Sequence, residues 1–139
     1  MAVERTLAII KPDAMGRGLG EQILARIRRD GFRVVAHKML ELTKAQAEGF
    51  YAVHRGKPFF PGLTDFMSSG RVMVLVLESE NGIARWREVM GATDPAQAAV
   101  GTIRRQFGTS VQQNCVHGSD GPDTAAFEIG YFFAGYELI

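Results

Sequence analysis

The chain is 139 residues long, 46% hydrophobic and 22% charged, which suits one folded domain over residues 1–139 and excludes a disordered segment. Sixteen Lys and Arg against fifteen Asp and Glu leave a net charge of +1, so no bulk field marks a nucleic-acid or anionic-membrane binder. No apolar run reaches the roughly 18 residues a bilayer span needs, and one cysteine, Cys115, cannot form an internal disulfide. With Glu4 and Arg5 interrupting any apolar leader, the expectation is a cytoplasmic protein without a membrane segment.

Residues 6–10 form a nearly continuous apolar run bounded by charge, the pattern of a buried strand. Leu19, Ile23, Leu24 and Ile27 then repeat at helical spacing, and Gly31 is placed to stop that helix in a left-handed turn. Residues 34–42 are rich in branched side chains and read as a second strand. Thr43 and Gln46 make a capping box that opens a helix through about residue 53. Phe59 and Phe60 follow in a loop bounded by Pro and Gly, and residues 72–77 are a third apolar strand. Ile83, Trp86 and Met90 mark a helix ended by Gly91, and Asp94 with Pro95 suits a short capped turn. A short strand is expected at residues 115–117. Gly121-Pro122 then precedes a last helix carrying Ala125, Ile129 and Phe132 or Phe133 on one face. This alternation predicts an α+β sandwich of ferredoxin-like type, a four-stranded antiparallel sheet with helices on its faces. One face would be covered, leaving the other for partners or further helices.

Of three histidines, His37 lies within a strand, where a surface or satisfied side chain is the favoured reading, and His54 at a helix end beside Arg55 and Lys57, where capping or surface duty explains it nearly as well as function. His117 differs. It stands at a strand end, before Gly118, which permits close ligand approach, and before Ser119 and Asp120, which can orient a side chain by hydrogen bonds. Lys11, Arg85, Arg87, Arg104 and Arg105 form a dispersed set of cations of the kind that clamps phosphates where no Gly-rich loop exists. No GxxxxGK[ST] or GxGxxG occurs, which disfavours Walker-type and Rossmann sites. One cysteine and three scattered histidines lack zinc-type spacing, and a Cys115–His117 dyad on one strand is a poor nucleophile–base pair. An exposed ring in the Phe59-Phe60 loop would be a stacking platform.

Residues 114–120, read as N-x-x-H-G-S-D, resemble the active-site motif of nucleoside diphosphate kinases. Residues 6–13 (TLAIIKPD), 49–63 (GFYAVHRGKPFFPGL), 91–95 (GATDP) and 101–104 (GTIR) resemble that family in order and spacing, over nearly the whole chain. The resemblance implies a ferredoxin-like core and transfer of the γ-phosphate of a nucleoside triphosphate to a nucleoside diphosphate. His117 matches the residue that is phosphorylated, so both nucleotides use one pocket in turn by a ping-pong mechanism. Glu128 matches the carboxylate that fixes the other ring nitrogen, with Ser119 in support.

By the same resemblance Lys11, Arg87, Thr93 and Arg104 contact phosphates and ribose, and Tyr51 lies by the transferred group. Asn114 and Lys11 hold the sugar hydroxyls, Gly118 adjoins the nucleotide, and Phe59 stacks on the base with Leu63 and Val111 lining it. That implies broad base tolerance. Mg²⁺ arrives on the nucleotide phosphates, so no all-protein metal site is expected. His54 matches a family histidine near the phosphates and receives no chemical step. The chain departs from the family pattern at Phe127, which precedes Glu128, and at Gly121-Pro122-Asp123. The family's homo-oligomers are tetramers or hexamers. Two other readings remain: a ferredoxin-like nucleic-acid-binding module without kinase activity, and an inactive structural homologue. The net charge and the missing RNP-type aromatic motif weigh against nucleic acid as the main partner.

Overall fold

In the computed structural model, which describes residues 2–139, four strands form one antiparallel sheet in the order β2-β3-β1-β4. The strands are β1 (Val3–Ile10), β2 (Arg33–Glu41), β3 (Arg71–Glu80) and β4 (Val116–Gly118). The expected ferredoxin-like order is present. The apolar runs in β1 and β3 are continuous because both faces of the sheet are covered, the more complete of the two coverings foreseen. On one face Ala8, Ile10 and Leu75 pack against Ile23 and Ile27 of α2 (Gly20–Arg29) and Trp86 of α5 (Gly82–Met90). On the other, Leu7, Ile9 and Val74 meet Phe50 of α3 (Lys44–Phe50) and Met67 of α4 (Phe60–Met67). Ile129 and Phe132 of α7 (Pro122–Phe132), with buried Phe133 just beyond it, close that second layer.

The local signals act as expected at most ends. Gly31 has φ +90°, Gly91 has φ +88°, and Thr43 and Gln46 complete their reciprocal cap at 3.1 and 2.9 Å. Asp94 caps its short turn by accepting from Ala96 N at 3.0 Å. The helix after Thr43 ends at Phe50 and continues only as a single tight turn, Ala52–His54. The loop expected around Phe59 and Phe60 holds only as far as Phe59. Phe60 opens α4, with Pro61 in its first turn where a missing N–H costs nothing. Short helices α1 (Pro12–Gly16) and α6 (Ile103–Phe107) also lie outside the expected order, and both are too short for a periodic signal.

The site grows from the end of the β1–β4 ladder. Ile9 pairs with His117 and Ile10 with Val116, and Lys11 N then donates to Cys115 O at 2.8 Å. Cys115 has φ +74°, and its N–H donates to Asp13 Oδ2 at 3.1 Å. This junction brings Lys11 beside Asn114 across 103 residues of chain. On the far side of β4, a Cβ at Gly118 would lie 2.5 Å from Trp86 Cδ1 and 2.6 Å from Met90 Cε. Met90 can swing its methyl aside. Trp86 is 1% exposed and wedged edge-on against Phe32, so the indole cannot. Gly118→Ala is therefore expected to lower stability by about 1–3 kcal/mol through overpacking, read as a fall in the urea midpoint. An unchanged midpoint would show that the indole yields.

Candidate active site

A cavity of about 550 Å³ opens where β4, the α5 C-terminus and the segment before α4 converge. His117 lies in its wall. The ring's Nε2 is 2.8 Å from Glu128 Oε1 on α7. Ser119 Oγ donates to the same Oε1 at 2.8 Å and accepts from Leu7 N at 3.1 Å, which fixes the hydroxyl's direction. A carboxylate oxygen facing both groups is an acceptor, so in the neutral ring the tautomer it selects has the proton on Nε2 and the lone pair on Nδ1. Among the described residues Nδ1 has no hydrogen-bond partner. Phe50 and Tyr51 hold the ring edge-on, at centroid separations of 5.5 and 6.3 Å and interplanar angles of 72° and 89°. Glu128 and Ser119 stand behind the imidazole and do not line the cavity, whereas Gly118 does.

The cations divide. Lys11, Arg87 and Arg104 face the cavity. Arg85 donates to Asp30 O at 2.6 Å with its guanidinium 4.7 Å over Phe32, and Arg105 donates to Ala98 O at 3.2 Å; both are structural. Lys11 Nζ donates to Asn114 Oδ1 at 2.8 Å, and Asn114 Nδ2 donates to Thr93 O at 2.9 Å. One chain of bonds thus ties the end of β1 to the loop after α5. Burial, reinforced by Arg104, pushes the Lys11 ammonium down to about 8. Arg104, 8% exposed, donates from Nη1 to Gly91 O at 2.9 Å and from Nη2 to Val116 O at 2.8 Å. Its Nε is buried without a protein partner, and burial with Arg87 nearby brings its pKa down to about 10. Arg87 is paired with Asp120 at 2.8 Å.

At the other end, Phe59 is 51% exposed and sits edge-to-face with His54 at 5.3 Å, with Lys57 Nζ 5.8 Å from its ring. Leu63 and Val111 also line the cavity, as do Tyr51 and Thr93. Burial raises the Tyr51 phenol well above its ordinary value, so it serves as a neutral hydroxyl. Met90, Gln112 and Asp120 also line the cavity, and nothing in the residue spacing singles out the first two. Cys115 belongs to the opposite core layer, where burial and Asp13 push its thiol up to about 12. The Cys115–His117 dyad is thereby excluded. The two departures are benign: Phe127 is 54% exposed, and Thr124 Oγ1 accepts from Asp120 N and Gly121 N at 3.1 and 2.9 Å, capping α7 without a serine.

Among the described residues no helix is long and apolar enough to cross a membrane, and no three His, Cys, Asp or Glu side chains converge on a cation. Residues 4–138 match the family model described as nucleoside diphosphate kinase. A nucleoside diphosphate kinase of Syntrophotalea carbinolica is 61% identical over 137 residues, 99% of this chain and 100% of that protein. One from Nitratidesulfovibrio vulgaris is also 61% identical, covering 99% of each chain. The solved nucleoside diphosphate kinase of Aquifex aeolicus superposes with a TM-score of 0.97 at 48% identity, over 99% of this chain and 100% of that one. The Halobacterium salinarum enzyme, solved in complex with CDP, gives 0.94 at 39% identity, over 99% and 92%.

Proposed function

The chain belongs to the nucleoside diphosphate kinase family and is a phosphotransferase of that class; from that premise we propose that it works through a phosphohistidine at His117. The observation that carries the reading is the tautomer lock. Glu128 holds Nε2 while Nδ1 is left free in the wall of a cavity that Lys11 and Arg104 make cationic. The Nδ1 lone pair attacks the γ-phosphorus of a bound nucleoside triphosphate. The bond from phosphorus to the β–γ bridging oxygen breaks, and its electrons leave with the diphosphate. Glu128 stabilises the cationic ring through Nε2–H, and a second nucleoside diphosphate in the same cavity reverses the step.

In this reading Lys11, Arg87, Thr93, Arg104 and Tyr51 grip the phosphates, Asn114 with Lys11 the sugar hydroxyls, and Gly118 adjoins the nucleotide through its backbone, its missing Cβ making room for Trp86. Mg²⁺ arriving with the nucleotide would supply charge neutralisation, and Asp120, the acidic side chain in the cavity wall, would face its hydration shell. Incubation with γ-labelled ATP and Mg²⁺ should leave an acid-labile, alkali-stable label on His117. Folded protein that takes no label would overturn the reading.

Phe59 would stack on the base with Leu63 and Val111 beside it, a grip that asks little of base identity. Phe59→Ala is expected to weaken every nucleoside diphosphate by a similar factor, about 1–3 kcal/mol in calorimetric titrations. A changed order of preference among bases would mean that some group reads base edges. Lys11 gives a pH signature. Phosphate oxygens beside an ammonium that titrates at about 8 raise its pKa in the complex. Affinity should be flat well below pH 8, then fall as pH rises through that value, with uptake approaching one proton per nucleotide. Titrations in buffers of different ionisation enthalpy measure that uptake, and none at pH 8.5 would remove Lys11 from the phosphate site.

We read residues 1–139 as one kinase domain working in the cytoplasm, where free nucleotides are found. A homo-oligomer, tetramer or hexamer, is supported by the open edge of β2, where Met39 is 50% exposed, and by Tyr136 and Ile139 at the surface. Light scattering of the purified protein counts the subunits. The nucleic-acid-module reading loses its platform: helices cover both sheet faces, and Phe59 stands in a cavity wall.

A further inference from the structure

The nucleophile's own carbonyl has an unusual partner. Trp86 Nε1 donates to His117 O at 3.1 Å, from an indole that is 1% exposed. The ring packs edge-on to Gly118 so closely that a Cβ there would fall 2.8 Å from Nε1. It is braced from behind by Phe32 at 5.9 Å and 84°, and Arg85 in turn covers Phe32. Trp86 therefore cannot move independently of the peptide that carries the imidazole.

Its place in α5 gives that contact a consequence. The next residue is Arg87, whose guanidinium lines the cavity, and one turn on, Met90 also lines it. Arg104 bonds the carbonyl of Val116, one residue before His117, and that of Gly91, just after α5. Strand β4 and helix α5 are thus joined at two successive peptides. The Arg104 join comes from a side chain inside the cavity, the Trp86 join from one outside it.

We infer that Trp86 is a positioning residue for phosphoryl transfer: its indole N–H, bonded to the His117 carbonyl, fixes the nucleophile strand in register with the helix that presents Arg87. The inference rests on the phosphohistidine reading above. Trp86 touches no bound nucleotide, since it is absent from the cavity wall; it acts on the distance between attacking nitrogen and clamped phosphate.

The chain contains one tryptophan, so replacing tryptophan biosynthetically by benzothienylalanine, which exchanges N–H for sulfur, alters this bond alone. The expected result is a fall of about five- to tenfold in kcat and in the single-turnover rate of His117 phosphorylation, the factor one ordinary hydrogen bond represents in a rate. KM for nucleoside triphosphate should stay close to its starting value, and the melting temperature should fall by no more than a few degrees, the cost of one buried carbonyl losing its donor. An unchanged rate, or a loss confined to KM, would overturn the inference. A second readout needs no replacement. The single indole N–H resonance of the unsubstituted protein should be protected from exchange and should shift when His117 is phosphorylated. A resonance that exchanges freely, or that ignores phosphorylation, would overturn the inference equally. If the unsubstituted protein takes no label at His117, the phosphohistidine reading itself fails, and that outcome is distinct from either of these.

Discussion

His117→Ala is expected to lower phosphoryl transfer by about four to six orders of magnitude, as removal of a covalent nucleophile does, while leaving nucleotide binding nearly intact. The separation follows from where the bonds go. Lys11 is held by Asn114, Arg104 by Gly91 and Val116, and Arg87 by Asp120; none of these leans on the imidazole. Glu128 loses one partner and keeps Ser119, itself fixed by Leu7 N, so the carboxylate is not left bare. The cost to folding is confined to the edge contacts with Phe50 and Tyr51. Calorimetry should return affinities within a few-fold of the unsubstituted protein, and labelled ATP should leave no phosphoprotein. Turnover within tenfold of the original would mean that the phosphoryl passes directly between two nucleotides, and the single-cavity account would fall with it.

Much of this site is legible because its residues sit where chain geometry forces a special residue. His117, Gly118 and Ser119 occupy a strand end and the turn into α7, whereas Cys115, just before the strand with φ +74°, breaks the alternation and falls in the layer opposite His117. Capping chemistry is local, so the Thr43 box, the Asp94 cap and the stops at Gly31 and Gly91 could be read directly. The roles of Glu128 and Asn114 come from resemblance, since no local rule links Glu128 to a histidine on another element, whereas Phe59 stands out as an aromatic ring in a segment bounded by Pro and Gly. Two kinds of information were out of reach. Helices of five to eight residues such as α6 and α4 carry too few turns for a periodic stripe, and Pro61-Gly62 imitates a loop. Bonds from a side chain to a distant carbonyl, as from Trp86 to His117 and Arg104 to Val116, leave no trace in residue spacing because the acceptor is backbone. That is why Trp86 read only as a core position of its helix.

Arg104→Ala should be the most damaging change outside the nucleophile, because it removes a structural fork and a cation together. Two carbonyls in the part-buried wall, Gly91 O and Val116 O, lose their donors, and each unpaired group costs about 1–3 kcal/mol. The same deletion takes away the buried positive charge nearest Lys11 and Arg87 in the cavity, and the loss of one such electrostatic group costs about 10²–10³ in turnover. Arg104→Lys divides the two effects. An ammonium restores the charge, yet it cannot span Gly91 and Val116 as a planar guanidinium does. Turnover should recover in part while the urea midpoint stays low, because β4 is still untied from the α5 C-terminus. Recovery of stability with no recovery of turnover would reverse the assignment, making the fork dispensable and the geometry of the guanidinium at the phosphate decisive. The Lys11 titration supplies a further check. Arg104 helps to push that ammonium down to about 8, so in Arg104→Ala the onset of proton uptake on nucleotide binding should move to higher pH. In Arg104→Lys it should stay near its original position, and an onset that ignores both substitutions would show that the two cations do not share a field.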